Sequence, residues 1–443
     1  MIAYFADHAW LGGDGVDADV LINIEGAVIV SVRAGARPPA DAVHLTGVTL
    51  PGLANAHSHT FHRALRGRTQ RGGGNFWTWR DAMYAVADRL TPDTYYNLAL
   101  ATYAEMALAG ITCVGEFHYL HHGPGGVPYG DANAMGAALV RAAASAGIRL
   151  TLLDTCYLAG GIGKALTGPQ LRFGDANAES WGARVDNLKP AGDVRIGAAI
   201  HSVRAVPADQ LGTVAAWARA KQAPLHVHLS EQRAENEASV GAYGCSPTQL
   251  LHDHDVLGPL STAVHATHLG ASDVALLGTT RTGVCLCPTT ERDLADGIGP
   301  GRALADAGSP LCLGSDSHAV VELWEEARGV ELHERLRSQT RGHFSAAELL
   351  RAATVDGHAS LGWPEAGRLA AGAPADFVSV DTNSVRLAGA GADTLLESVV
   401  FAATAADVRE VVVAGRRVVT DGRHVVVEDV PAALRAAIAA VAS

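Results

Sequence analysis

A chain of 443 residues, 48% hydrophobic and 18% charged, is long enough to bury a large core. A formal charge of −12, with Lys164, Lys189 and Lys221 as its only lysines and no basic cluster, argues against a nucleic-acid partner. No apolar run approaches the roughly 20 residues that span a bilayer, which argues against a membrane protein.

In chain order, the first ten residues (MIAYFADHAW) lack a basic segment followed by an apolar one, so the expected location is the cytoplasm. Residues 19–50 are short Val-rich runs broken by Gly and Asp, which read as hairpin strands without helices between them. From about 50 to 320 one pattern recurs: a short apolar run, a loop, then an Ala/Leu-rich helical stretch. The apolar runs end near Ala56, His118, Cys156, His201, His228, Ala266, Cys287 and Asp316. Helices are predicted at 93–109, 132–146 and 208–222, with Gly110 and Gly147 as stop signals. Such alternation predicts parallel strands buried on both faces. Eight of them predict an α/β fold of the closed (β/α)8, TIM-like type, with an open doubly wound sheet as the competing architecture. The segment 60–91, rich in Gly (Gly72 to Gly74) and Trp (Trp77, Trp79), is a candidate lid. Residues 376–425 are again Val-rich and strand-like, and 431–442 form a closing amphipathic helix. The expected organisation is a barrel over 50–366 beside a small β-sandwich domain assembled from 1–49 and 367–443.

Five cysteines (Cys113, Cys156, Cys285, Cys287, Cys312) fall in apolar, strand-like runs and the sixth is Cys245, so buried reduced thiols are expected rather than disulfides.

The chemically capable residues gather at the C-terminal ends of the eight runs, the face that carries the active site in a βα barrel. The first run ends in His57-Ser58-His59, and residues i and i+2 of a strand point the same way. The fifth ends in His226-Val227-His228, with Glu231 following. The sixth carries His265 and His268, and the eighth terminates in Asp316. Taken singly, each is compatible with packing or helix capping. Taken together, three imidazoles and one carboxylate suit Zn²⁺, whereas Mg²⁺ prefers oxygen donors. A lone Zn²⁺ lowers the pKa of bound water toward roughly 7. Glu231 and Asp316 are then placed to divide the proton traffic. Glu231 serves as shuttle to a leaving nitrogen, and His265 steadies hydroxide or oxyanion.

The stretches 51–59 (PGLANAHSH), 226–231 (HVHLSE), 314–318 (GSDSH) and 367–376 (GRLAAGAPAD) resemble the signatures of the amidohydrolase superfamily, in its mononuclear deaminase branch. Within that branch 75–81 (NFWTWRD), 115–122 (GEFHYLHH), 201–206 (HSVRAV) and 287–297 (CPTTERDLADG) are similar to the formimidoylglutamate deiminase family of histidine degradation. The resemblance covers nearly the whole chain. It implies hydrolysis of N-formimino-L-glutamate to N-formyl-L-glutamate and ammonia, and homodimers. By position it implies zinc ligands His57, His59, His228 and Asp316, with Glu231 and His265 catalytic. It further implies that Arg80, Tyr119, His201 and Arg204 hold the carboxylates of a small dianionic substrate. Two arginines suit that task, since each grips a carboxylate through two hydrogen bonds. Binuclear relatives carry a modified lysine at the end of strand four. Here that strand ends in His201, which implies one Zn²⁺ per chain, with Fe²⁺ as the alternative metal. His62 departs from the family pattern, which has Gln there. His118, His121 and His122 read as supporting or structural residues. The rival readings are a deaminase or chlorohydrolase acting on another small C–N substrate, such as N-formimino-L-aspartate or an aromatic heterocycle, and a non-catalytic barrel that serves as a binding protein.

Overall fold

A computed structural model describes residues 1–71, 73–74, 76–189 and 192–442. Gly72 and Asn75 of the candidate lid lie outside the described residues, as do Pro190, Ala191 and Ser443.

Four strands open the chain: β1 (Ile2–Ala9), β2 (Asp17–Glu25), β3 (Val28–Arg33) and β4 (Val43–Pro51). After Gly52 the chain passes straight into the barrel strands β5 (Leu53–Ser58), β6 (Ile111–His118), β7 (Arg149–Cys156), β8 (Val194–Ile200), β9 (Leu225–Leu229), β10 (Ser261–His265), β11 (Gly283–Leu286) and β12 (Leu311–Leu313). These pair in parallel, each with its neighbour in sequence. Every residue of β5, β6 and β7 is buried, as strands covered by side chains within and helices without must be. The helices between them stop where the sequence signals. Helix Pro92–Leu108 starts on a Thr91 cap with Pro92 in its first turn, and helix Ala134–Ala146 ends on Gly147 at φ +80°.

The ring closes at one edge through very few bonds. Ser58 bridges Asp316 in parallel, the Asp316 N–H donates to the His57 carbonyl at 3.0 Å, and the His59 N–H donates to the Asp316 carbonyl at 3.3 Å. Asn55 and Ser315 exchange hydrogen bonds across the same seam at 2.7 and 2.9 Å. The approach needs Gly314, because a Cβ there would sit 2.7 Å from the His57 Cβ.

The chain then returns to the terminal sheet with β13 (Phe377–Val380), β14 (Val408–Val413), β15 (Arg416–Thr420) and β16 (Arg423–His424). Strand β13 pairs antiparallel to β4, which joins the two termini into one mixed sheet ordered β16-β15-β14-β13-β4-β1-β2-β3. The sheet curls so that Ile29 and Ala27 near one edge bond Ala373 and Ala375. It thereby encloses its own core of Tyr4, Ile22, Leu45, Phe377 and Val412. The expected sandwich is therefore built from a single curled sheet. Helix Val430–Val441 lays Val430 and Leu434 on Ala101 and Ala104 of helix Pro92–Leu108. All six cysteines are free thiols, and no described helix is long and apolar enough to cross a membrane.

Candidate active site

Strand ends deliver the groups that could hold a metal. His57 and His59 come from β5, His228 from β9, and Asp316 from the turn after β12. One donor atom from each lies within 4.8 Å of the others, and all four residues are buried. Two of the imidazoles have their tautomer set by backbone. The His59 Nδ1–H donates to the Phe117 carbonyl at 2.9 Å and the His228 Nδ1–H to the His201 carbonyl at 2.8 Å. Their Nε2 lone pairs therefore face one another at 3.4 Å, and the His59 Nε2 faces Asp316 Oδ1 at 3.4 Å. The His57 Nε2 completes the set, 3.1 Å from His228 Nε2 and 3.3 Å from Asp316 Oδ1. Lone pairs converging in a buried space repel unless a cation lies among them, and three nitrogens with one oxygen fit Zn²⁺ or Fe²⁺. Burial and the neighbouring imidazoles hold the three rings neutral by pushing their pKa values below the ordinary range. His226, one layer deeper on β9, donates its Nε2–H to the Ser360 carbonyl at 2.9 Å and takes no part.

Two groups border this cluster. The His265 Nε2 lies 3.5 Å from Asp316 Oδ2 and 3.9 Å from Glu231 Oε1, while its Nδ1 lies 3.4 Å from Glu291 Oε1. Burial alone would lower its pKa, but the Glu231, Glu291 and Asp316 carboxylates outweigh it and raise the value to about 10. Burial pushes Glu231 up to about 7, against the opposing pull of His265 and Arg204. Ser230, His265, Ala266, Asp316 and His318 all have positive φ, so left-handed backbone is concentrated at the barrel mouth.

A cavity of about 50 Å³ opens on this cluster, and a larger one of about 280 Å³ lies outside it. Arg80, Tyr157, His201 and Arg204 line both, and Tyr119 lines the inner one. Arg80 stands on a helix, Phe76–Ala87, inside the segment expected to be a lid, and its guanidinium lies over the Trp77 ring at 4.5 Å from the centroid. Its Nε is buried without a hydrogen-bond partner among the described residues. Arg204 instead donates its Nε to Glu235 at 2.8 Å. The His62 Nε2 lies 3.0 Å from the Tyr119 hydroxyl and its Nδ1 is buried without a partner, so the ring forms part of the cavity roof beside Trp79.

The expected ligand, acid–base and carboxylate-binding residues thus meet around one space. Three carboxylates around them went unassigned in the sequence. Glu291 lies against the His265 ring and accepts the Cys287 N–H at 2.9 Å. Glu116 accepts the Ser58 hydroxyl at 2.8 Å and the Thr60 N–H at 2.7 Å, which clamps the chain on both sides of His59. Glu235 is the third. Glu116 and Glu291 stood inside recognisable stretches, but the Ser58, Thr60 and His265 groups that they meet come from distant segments. His118, His121 and Asp154 also approach within 4.8 Å, but Arg184 and the Trp181 N–H already occupy the Asp154 oxygens, so a cation is built in there.

Residues 48–418 match the Amidohydrolase family. The formimidoylglutamate deiminase of Pseudomonas aeruginosa is 37% identical over 439 residues, which is 96% of each chain. The crystal structure of an amidohydrolase from Brucella melitensis superimposes with a TM-score of 0.92 at 33% identity, over 100% of both chains. A mutant of the atrazine chlorohydrolase of Arthrobacter aurescens, complexed with zinc and atraton, gives a TM-score of 0.87 at 23% identity over 99% of this chain and 100% of that one, a likeness of fold.

Proposed function

Because the chain belongs to the amidohydrolase family and is a hydrolase of C–N bonds in non-peptide amidines, we propose that it converts N-formimino-L-glutamate and water to N-formyl-L-glutamate and ammonia. The observation that carries the choice of a dianionic substrate is Arg80, a cation that has no carboxylate partner and whose buried Nε has no acceptor among the described residues, and which lines the same two cavities as Arg204. Two guanidinium forks at one neck match two carboxylates, whereas a neutral heterocycle leaves the Arg80 charge uncompensated. The inner cavity, about 50 Å³, accepts the reacting end alone, so the amino-acid portion extends past the arginines into the outer one.

His57, His59, His228 and Asp316 are the residues that would hold a single divalent metal, by our reading Zn²⁺ with Fe²⁺ as the alternative. Such an ion supplies a water activated for attack at neutral pH. The side chains do the rest. Arg80 and Arg204, with the Tyr119 hydroxyl and the His201 ring, hold the carboxylates and fix the formimino carbon at the bottom of the cavity. Glu231, with its pKa near 7, takes up a proton and returns it to the departing nitrogen, which leaves as ammonia. His265, held protonated, directs an N–H at the oxygen on which charge develops. Asp316 accepts the second proton when the carbonyl of the product forms and passes it to the same nitrogen, so that the departing group has gained both protons of the water as ammonia. The helix Phe76–Ala87, carrying Arg80, covers the cavity and limits water.

Ammonia release from N-formimino-L-glutamate, with metal content measured on the same sample, tests this. The expected result is turnover with about one equivalent of zinc or iron per chain. A metal-loaded protein that ignores this substrate but turns over N-formimino-L-aspartate or a triazine in a parallel panel would discard the substrate and keep the hydrolase.

A further inference from the structure

Glu235 is 1% exposed and stands in the first turn of helix Arg233–Tyr243, in the wall of the outer cavity. Both of its oxygens are committed. Oε2 accepts the Arg204 Nε–H at 2.8 Å, and Oε1 accepts the backbone N–H of Ser230, also at 2.8 Å. Ser230 has φ +50°, and that left-handed turn leads directly into Glu231, whose Oε2 lies 3.9 Å from Arg204 Nη2. A free carboxylate in the wall of an anion-accepting cavity would repel the ligand. Bonded to Nε, this one has its charge offset and takes neither terminal nitrogen of Arg204, which leaves both as a fork for a ligand in the cavities that Arg204 lines.

We propose that Glu235 is a positioning residue that fixes, from one buried carboxylate, both the carboxylate-gripping fork of Arg204 and the turn that aims Glu231. The inference rests on the roles given above to Arg204 and Glu231. A helix-capping acid with no part in the reaction would hold Ser230 alone. Here the second arm reaches 31 residues back along the chain, to the loop after β8.

The two arms separate by substitution. Glu235→Gln keeps a carbonyl for the Ser230 N–H but turns an NH₂ toward the Arg204 Nε–H, donor against donor. Glu235→Leu removes both bonds. For wild type and both variants, kcat and KM for N-formimino-L-glutamate are measured with the affinity for glutarate by calorimetry, and metal content and thermal midpoint serve as controls. The Gln variant is expected to raise KM and the glutarate Kd about 10- to 100-fold while kcat falls much less. The Leu variant is expected to lose kcat as well. A Gln variant whose KM and glutarate Kd stay within about twofold of wild type overturns the proposal, as does a Leu variant that keeps kcat. If the Leu variant fails to fold, the Gln variant decides. A wild-type protein that binds glutarate but releases no ammonia sinks the proposed reaction, and the glutarate affinity of the Gln variant then decides Glu235 alone. One that does neither overturns both.

Discussion

Asp316 has φ +40° and His265 φ +69°, conformations that side chains with a Cβ rarely adopt. Each costs of order 1–3 kcal/mol and persists only where the surroundings over-determine it. Here the surroundings are the ligand cluster and the closing strand edge. The His-x-His pair, His228 and Asp316 were legible as chemistry because strand periodicity puts each at the same end of the barrel. Glu235, Glu291 and Glu116 were not, since what a carboxylate does depends on which distant N–H or ring folds against it. Glu231 was legible by its place after β9, and its function is open to a direct test. Glu231→Gln is expected to lower kcat by about 10²- to 10⁴-fold with metal content and glutarate affinity near wild type, as checked by steady-state kinetics and calorimetry. Loss of metal together with activity would mark Glu231 as part of the ligand scaffold instead.

At the scale of elements, eight apolar runs were enough to announce eight strands, because a parallel strand buried on both faces has no polar side to obscure it. The helix Phe76–Ala87 was hidden in an expected loop. Glycines precede it and bulky aromatics fill it, yet Phe76, Met83, Val86 and Ala87 bury one face. A link between β7 and helix Ala178–Val185 was also invisible. Asp154 accepts Arg184 through both oxygens at 2.9 and 3.0 Å, and Arg184 in turn holds Asp175. Burial would raise the Asp154 pKa, but Arg184 outweighs it and holds the value down to about 2, below the ordinary 3.8. A depressed carboxylate contributes stability that is complete above its unfolded pKa and is lost as pH falls through the folded one. The contribution of Asp154 is therefore full at pH 7 and fades between about pH 4 and 2. Asp154→Asn is expected to cost about 3 kcal/mol at pH 7 and markedly less near pH 3. Urea titrations at the two pH values check this, and an equal loss at both would remove the ion pair from the explanation.

Across the whole molecule, a buried ion pair ties the barrel to the terminal sheet, beside an apolar core that Val378, Val380, Val408 and Val411 share with the barrel strands. Arg149, at the start of β7, donates to both oxygens of Asp376 at 2.6 and 3.1 Å, and the Asp376 Oδ1 also accepts the Ala414 N–H at 2.7 Å. The sequence showed that both termini were β-rich but not that β4 and β13 pair, because antiparallel register between segments more than 300 residues apart leaves no local trace. Arg149→Met is expected to cost about 3–5 kcal/mol by stranding Asp376. It is expected to release the two bodies separately, seen as two transitions in calorimetry where wild type gives one. A single, unshifted transition would show that the curled sheet depends on its own core alone.

The seam of the ring has a mechanical consequence. Seven of the eight strand junctions are ladders, whereas the eighth is little more than a clasp made from the backbone of His57, His59 and Asp316. On the proposed metal site, an ion that drew those three side chains together would tighten a hoop, and its release would slacken it along its whole circumference. The reagent that would prepare the catalyst would then also be a tensioning pin for the scaffold. Chelation is accordingly expected to speed amide hydrogen exchange first in β5 and β12, well below the mouth where the ion would sit, while β6 and β7 stay protected.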